Sequence, residues 1–310
     1  MKKIERDSIK KSLVTFKDVM KHYRGFAFGI VFILITLFLA ILSFFSPYDP
    51  RIWNAVPKDL SPSLTYLLGT NTVGQDVFWL LTFATRNSLI LGFVTATVAM
   101  VIGTVVGLVS GYKGKVTDKV LMSINDSFLV LPSLPILILI ASFMGARLNM
   151  VAMGLILSLF SWPWSGRQVR SMVLSLRERE FTYMAEFSGM SMFKIVFSEY
   201  LPFIIPLIFA NFINTILWAL GMEITLSIFG LSSLEIPTIG TMIYWGMQYQ
   251  AMFRGIWWWI ASPVVFSVLL FVSLFLVSSG INTFLDPRTR LQRLRTIGRE
   301  HEERKEVRPE

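Results

Sequence analysis

Apolar residues fall along this chain in six runs, each about as long as the ~20 residues a helix needs to cross ~30 Å of hydrocarbon. The runs are Phe26–Phe45, Ser88–Gly111, Val120–Met144, Leu148–Trp164, Pro202–Gly221 and Trp257–Ile281. They predict an all-α integral membrane protein with six transmembrane helices. Pro132, Pro135, Pro163, Pro206 and Pro263 lie inside or near the runs, where packed neighbours can satisfy the backbone groups they free. Between the fifth and the fourth run the rhythm changes to "REREFTYMAEFSGMSMFKIVFSEYLP" (177–202), charged and punctuated by Gly189. Phe181, Met184, Ala185 and Ser188 fall on one helical stripe there, while Glu178, Arg179, Glu180 and Glu186 keep much of the remainder polar. This predicts a short helix at about 178–190, a turn at Gly189, and a new span from Pro202. Such a helix suits either a linker lying on the membrane or a knob that docks into a soluble partner.

Composition agrees with the pattern. Of 310 residues 54% are hydrophobic and 16% charged, a balance expected of a chain whose solvent is largely lipid. Cysteine is absent, which excludes disulfides and any cysteine-based metal or nucleophile site; the two histidines, His22 and His301, lie in the charged tails. Lys and Arg are placed unevenly. The N-terminal tail holds eight, the 112–119 turn three, the 165–201 loop five and the tail after 281 eight, 24 in all, against Arg51, Lys58, Arg86, Arg147 and Arg254 elsewhere. That bias predicts cytoplasmic termini. It also accounts for the net charge of +9, pointing to membrane lipid and not to nucleic acid. The basic segment before the first run resembles a signal peptide, but the run is long and is followed by "SPYDPRIW", so it reads as a retained anchor. The expected organisation is a tail at 1–25, a membrane domain at 26–281 and a tail at 282–310.

Segments in chain order resemble ABC-transporter permeases of the dipeptide/oligopeptide/nickel importer family. The family's cytoplasmic loop reads Glu-Ala-Ala, a Gly four positions later, then Ile-x-Leu-Pro. Here Ala185, Gly189, Leu201 and Pro202 match, while Tyr183, Met184 and Glu199 depart. "LLGTNTVGQDVFWLLTFATRNSLILG" (67–92) is similar to the family's stretch before its second span, with Gln75 where Arg is usual. "SWPWSGRQVRSMVLSLREREF" (161–181) resembles the run into the loop, and "INTFLDPRTR" (281–290) the family's ending. The resemblance implies the permease type with a long loop after its first span, in the inner or plasma membrane of a prokaryote, with a type I importer fold. It further implies a second, related permease, two ATPase subunits, and an extracytoplasmic binding protein that delivers di- or oligopeptides, or nickel complexes or oligosaccharides. The loop helix would be the coupling helix, with Glu180, Phe181, Met184, Ala185, Ser188 and Gly189 as its ATPase-coupling residues. This chain is expected to bind no cofactor, with ATP and Mg on the partner ATPases; its nearest string to a phosphate-binding loop, "GYKGKVT" (111–117), has the wrong glycine spacing and no Ser or Thr after Lys115.

Within the spans, Asn211, Asn214, Thr215 and Trp218 share one face of the fifth run at i, i+3, i+4, i+7, a pattern that fits a pathway lining and fits interhelical hydrogen bonding equally. Asp126 must face protein or water, since a carboxylate facing lipid at mid-bilayer costs ~3 kcal/mol; the family's acid near this position implies a structural partner. Glu223 matches a family Glu before "LSIFG" (226–230). Gly92, Ala96, Gly103, Gly107 and Gly111 make small-x3-small steps for close helix packing, and Trp257, Trp258 and Trp259 read as an interfacial belt. A secondary transporter would call for repeated broken helices, and a membrane enzyme for a motif such as His-Glu-x-x-His; neither is found in the sequence.

Overall fold

A computed structural model describes residues 24–144 and 149–285. The predicted tails therefore lie outside the described residues, except for 24–25 and 282–285, which are helical, and so does the second half of the 281–290 motif. Nine helices are present among the described residues. They are α1 (Arg24–Leu42), α2 (Val77–Lys113), α3 (Lys115–Val130), α4 (Ser133–Met144), α5 (Met150–Arg177), α6 (Glu180–Phe187), α7 (Met192–Ile228), α8 (Ile239–Gln248) and α9 (Trp257–Leu285). Four of them, α1 with its 3-10 extension to Phe45, α2, α7 and α9, are long and apolar enough to cross a membrane, and α3 with α4 makes a fifth if the pair is one span.

That pair corrects the third predicted run. It is two helices meeting at 77°, because Pro132 disfavours helical geometry at the residue before it and Leu131 is extended (φ −64°, ψ 128°). The fourth run is also changed. α5 has 28 residues and continues to Arg177, through a half rich in polar side chains; it is not among the helices that apolarity alone marks as spans.

α2 packs most extensively against α5, and glycine makes this possible. A Cβ on Gly103 would stand 2.8 Å from the Trp162 carbonyl oxygen, and one on Gly107 2.7 Å from the Gly166 carbonyl oxygen and from Val169 Cβ. The small-residue steps thus serve contacts inside the bundle, where backbones approach too closely for any side chain.

α7 begins with a helical turn and a π segment at Ile195–Tyr200. The widened turn passes the Leu201 N–H to the Val196 carbonyl, just before Pro202, which supplies no N–H to the ladder. At the end of the bundle remote from α6, the 46–76 segment lies over α2, α8 and α9. It is tied by Asn54 N–H to the Val73 carbonyl (2.8 Å), Thr70 N–H to the Leu60 carbonyl (2.9 Å) and Trp258 Nε1 to the Thr70 carbonyl (3.0 Å). Of the predicted tryptophan belt only Trp257 is exposed; Trp258 and Trp259 are buried in the core with Leu80, Leu81 and Met242.

Candidate functional site

The short helix predicted between the fourth and fifth runs is present as α6, and its seat is built from its neighbours in sequence. Thr182 is buried and donates from Oγ1 to the Leu176 carbonyl (2.8 Å), while Tyr200 OH donates to Thr182 Oγ1 (3.3 Å). Phe181 stacks on Phe203 at 5.9 Å and meets Tyr200 edge-on at 6.4 Å. Ala185 is buried against a cluster of Val169, Val173, Leu176, Ile195, Val196 and Ile204 from α5 and α7. The helix is closed by Gly189 at φ 72°, with Met190 N–H reaching the Ala185 carbonyl (3.1 Å) and Gly189 N–H the Glu186 carbonyl (2.9 Å). This double bond pattern satisfies the last carbonyls of so short a helix.

The predicted stripe is therefore divided. Phe181 and Ala185 face inward, where they hold α6 to its own chain, whereas Met184 (70% exposed), Ser188, Gly189 and Glu180 face out. The outward apolar face is completed by Tyr183 and by Phe187, which is 92% exposed. Neither was among the predicted coupling residues, although the spacing of Tyr183, Met184 and Phe187 carries the signal. Thr182 and Tyr200, which position the helix, were also missed; only the structure reveals that they meet.

Behind α6 the seat is tied to α3 by two ion pairs. Arg170 forks Asp118 through Nε (2.5 Å) and Nη2 (2.6 Å), and Arg167 Nη2 bonds Asp126 Oδ1 at 2.7 Å. Asp126 thus pairs with a side chain of α5. Asn125 beside it is wholly buried against α5.

The Asn211 face is also split. Asn211 and Thr215 are buried, Trp218 packs against a core of Leu91, Leu137 and Leu157, and Asn214 alone is exposed. The Asn211 Nδ2 has no hydrogen-bond partner among the described residues.

At the other end of α7, Glu223 lies inside the helix, completely buried. Its Oε1 accepts from Ser227 Oγ (2.7 Å) and Thr238 Oγ1 (2.5 Å), the Gly240 N–H also meets the carboxylate, and Oε2 has no partner among the described residues. These bonds tie α7 to the start of α8, whose first turn carries a reciprocal Thr238–Thr241 capping box. Gly240 permits the approach, since a Cβ there would meet the Glu223 carboxylate at 2.9 Å. Beside this link, two clefts of about 390 and 610 Å3 open around Pro50 and Arg51, reaching Trp53, Trp245 and Glu235.

Residues 103–291 match the family described as binding-protein-dependent transport system inner membrane component. The chain is similar to the oligopeptide transport system permease protein OppC of Lactococcus lactis subsp. cremoris, with 30% identity over 72% of this chain and 76% of that one. It is similar to the dipeptide transport system permease protein DppC of Bacillus subtilis, 27% identical over 92% and 90% of the two chains. It also resembles OppC of Mycobacterium tuberculosis, at 30% identity over 78% and 82%. The segment matched by the family contains α5, α6 and α7 whole. With its membrane-spanning helices and a family match covering well over half of its length, the chain belongs to the binding-protein-dependent transport system inner membrane components, a family of multi-pass transport permeases.

Proposed function

We propose that this chain is the permease subunit of an ATP-driven peptide importer, forming half of a translocation pathway whose other half is a second, related permease. Two ATPase subunits seat on the α6 faces, and an extracytoplasmic binding protein delivers di- or oligopeptides at the opposite end, where the 46–76 segment lies. Both termini and α6 are cytoplasmic. The observation that carries this reading is the exposed Tyr183–Met184–Phe187 face on a capped helix whose other side is fixed to α5 and α7.

The geometry suits the conversion of ATPase closure into helix motion. Thr182 binds α6 to the end of α5, and Phe181 with Tyr200 binds it to the start of α7, so a displacement of α6 must move both. α5 in turn is locked to α2 through Gly103 and Gly107 and to α3 through Asp118 and Asp126. Rigid-body motion of such a unit is how alternating access works, and moving a two-state bundle from 1:99 to 99:1 takes about 5.5 kcal/mol of differential interaction. ATP and Mg are bound by the ATPase subunits. On the α7 side, Asn214 is the residue of the Asn211 face that meets the pathway, while Asn211 and Thr215 stay within the bundle.

The test is reconstitution of the permease pair with its ATPases and binding protein in vesicles. ATP-dependent accumulation of a labelled dipeptide or oligopeptide, lost when the ATPases are omitted, is the expected result. Equal accumulation without ATPases would overturn the reading.

A further inference from the structure

The ion pair between Asp126 and Arg167 sits in an environment that the bundle's other features do not share. Although bonded at 2.7 Å, the two side chains remain 54% and 51% exposed, whereas Asp118 and Arg170, nearer α6, are only 16% and 29% exposed. The buried pair suffices to strap α3 to α5. The open one therefore needs a different explanation, because a charged pair facing hydrocarbon is strongly disfavoured.

Its neighbours supply it. Ser123, Asp126 and Ser127 recur at i, i+3, i+4 on α3, and Arg167 and Ser171 at i, i+4 on α5; all five are exposed, so they form one polar seam. Lys115 and Lys119, also exposed, continue the seam toward the start of α3, whereas Val116, Val120 and Ile124 at successive turns, and Val130 at its end, are exposed and apolar. Val116, Val120 and Ile124 thus give α3 a flank fit for lipid, and Lys115, Lys119, Ser123 and Asp126 one fit for water, with Ser127 at the boundary, on the α6 side of the Leu131–Pro132 bend.

We propose that this seam lines the water-filled half of the translocation route on the α6 side of that bend, and that Asp126 and Arg167 are where the charged ends of a passing peptide meet the wall. The assignment rests on the transport reading above. A peptide carries an ammonium and a carboxylate. A half-exposed Asp–Arg pair offers a partner to each, and binding shared between sites is weak enough to release what enters.

The chain contains no cysteine, which makes the test direct. Ser123→Cys and Ser171→Cys are introduced singly into the assembled transporter with its partners' cysteines replaced, and Val120→Cys and Ile124→Cys serve as lipid-facing references. A membrane-impermeant cationic thiol reagent, applied from the α6 side, should label the serine positions roughly tenfold or more faster than the references, since reaction needs the thiolate form that water supports. Transported dipeptide should slow that labelling, and Asp126→Asn with Arg167→Gln should abolish the slowing. Serine positions no more reactive than the references, with peptide uptake intact, would show that lipid or the partner permease covers the seam and would overturn this assignment while leaving the transport reading standing. Absence of peptide uptake by the unaltered transporter would overturn both.

Discussion

Truncating Phe187 to alanine tests whether α6 is a docking surface. The side chain is 92% exposed in the single chain, so nearly all of its apolar area is available to a partner. Full burial of a phenylalanine is worth about 1.5–3 kcal/mol, which corresponds to roughly 10- to 150-fold in affinity. Met184, 70% exposed, adds a smaller amount, and the two are close enough on the helix that their effects need not sum. The permease itself should not notice Phe187→Ala, because the residue has almost no contacts within the chain to lose. Ala185→Arg is the informative contrast. At 7% exposure, its guanidinium would be forced among Val169, Val173 and Ile195, where an unpaired charge costs several kcal/mol. That variant should unseat α6 from its own bundle and lower the melting temperature of the purified permease pair. Titration of ATPase onto the permease pair in nanodiscs separates the cases: Phe187→Ala weakens binding with unchanged melting, whereas Ala185→Arg changes both. ATPase affinity unchanged in both Phe187→Ala and Phe187→Asp would refute the docking surface.

Gly107→Val should cost about 1–3 kcal/mol by overpacking, since its Cβ would stand 2.7 Å from α5 backbone; a normal melting curve of the detergent-solubilised pair would show that the helices separate freely. Gly189→Val acts through backbone alone, because nothing lies within 4 Å of a Cβ at φ 72°, and left-handed geometry costs a β-branched residue about 1–2 kcal/mol or more. Gly189→Asn should restore most of the coupled uptake lost in Gly189→Val, and equal loss in both would contradict a conformational cause. A reporter fused after Glu310 should be active only in the cytoplasm, and activity outside would invert the proposed orientation.

The hydropathy runs located the helices because lipid-facing positions are apolar, and for the same reason they misjudged where helices end. α2 begins at Val77, eleven residues before the run that signalled it, since its first three turns are covered by α8, α9 and the 46–76 segment and need no uniform apolarity. α5 overshoots its run in the other direction, because Arg167 and Arg170 are paired with Asp126 and Asp118 on α3. The bend at Pro132 was visible as a proline but not as a break, because prolines within α5, α7 and α9 leave those helices continuous. At α6 the periodicity identified an amphipathic helix correctly, yet gave it one apolar face where there are two. One face holds it to α5 and α7, and that requirement, set by residues such as Tyr200, is invisible in an eight-residue window. Glu223 shows the same gap: the groups its carboxylate meets, Thr238 and Gly240, lie fifteen and seventeen residues away.

What the single chain leaves bare is consistent with a part of a larger machine. Each exposed feature has its own solvent requirement. The Tyr183–Met184–Phe187 face is apolar and stands beyond the end of the bundle, where water would meet it, so it is disfavoured unless a soluble partner covers it. Asn214 and the Asp126–Arg167 pair are polar and stand on long helices, where lipid would meet them, so they are disfavoured unless water or protein replaces the lipid. A monomer in a bilayer satisfies neither demand. An assembly in which a second permease encloses an aqueous route, while ATPases cap α6, satisfies both with no rearrangement of the chain's own fold. The mechanical link between the two surfaces is short: from Phe187 through Thr182 to Leu176, then along α5 to Arg167. A movement imposed at α6 thus reaches the charged pair through one helix, whose contacts with α2 are too close for it to bend independently.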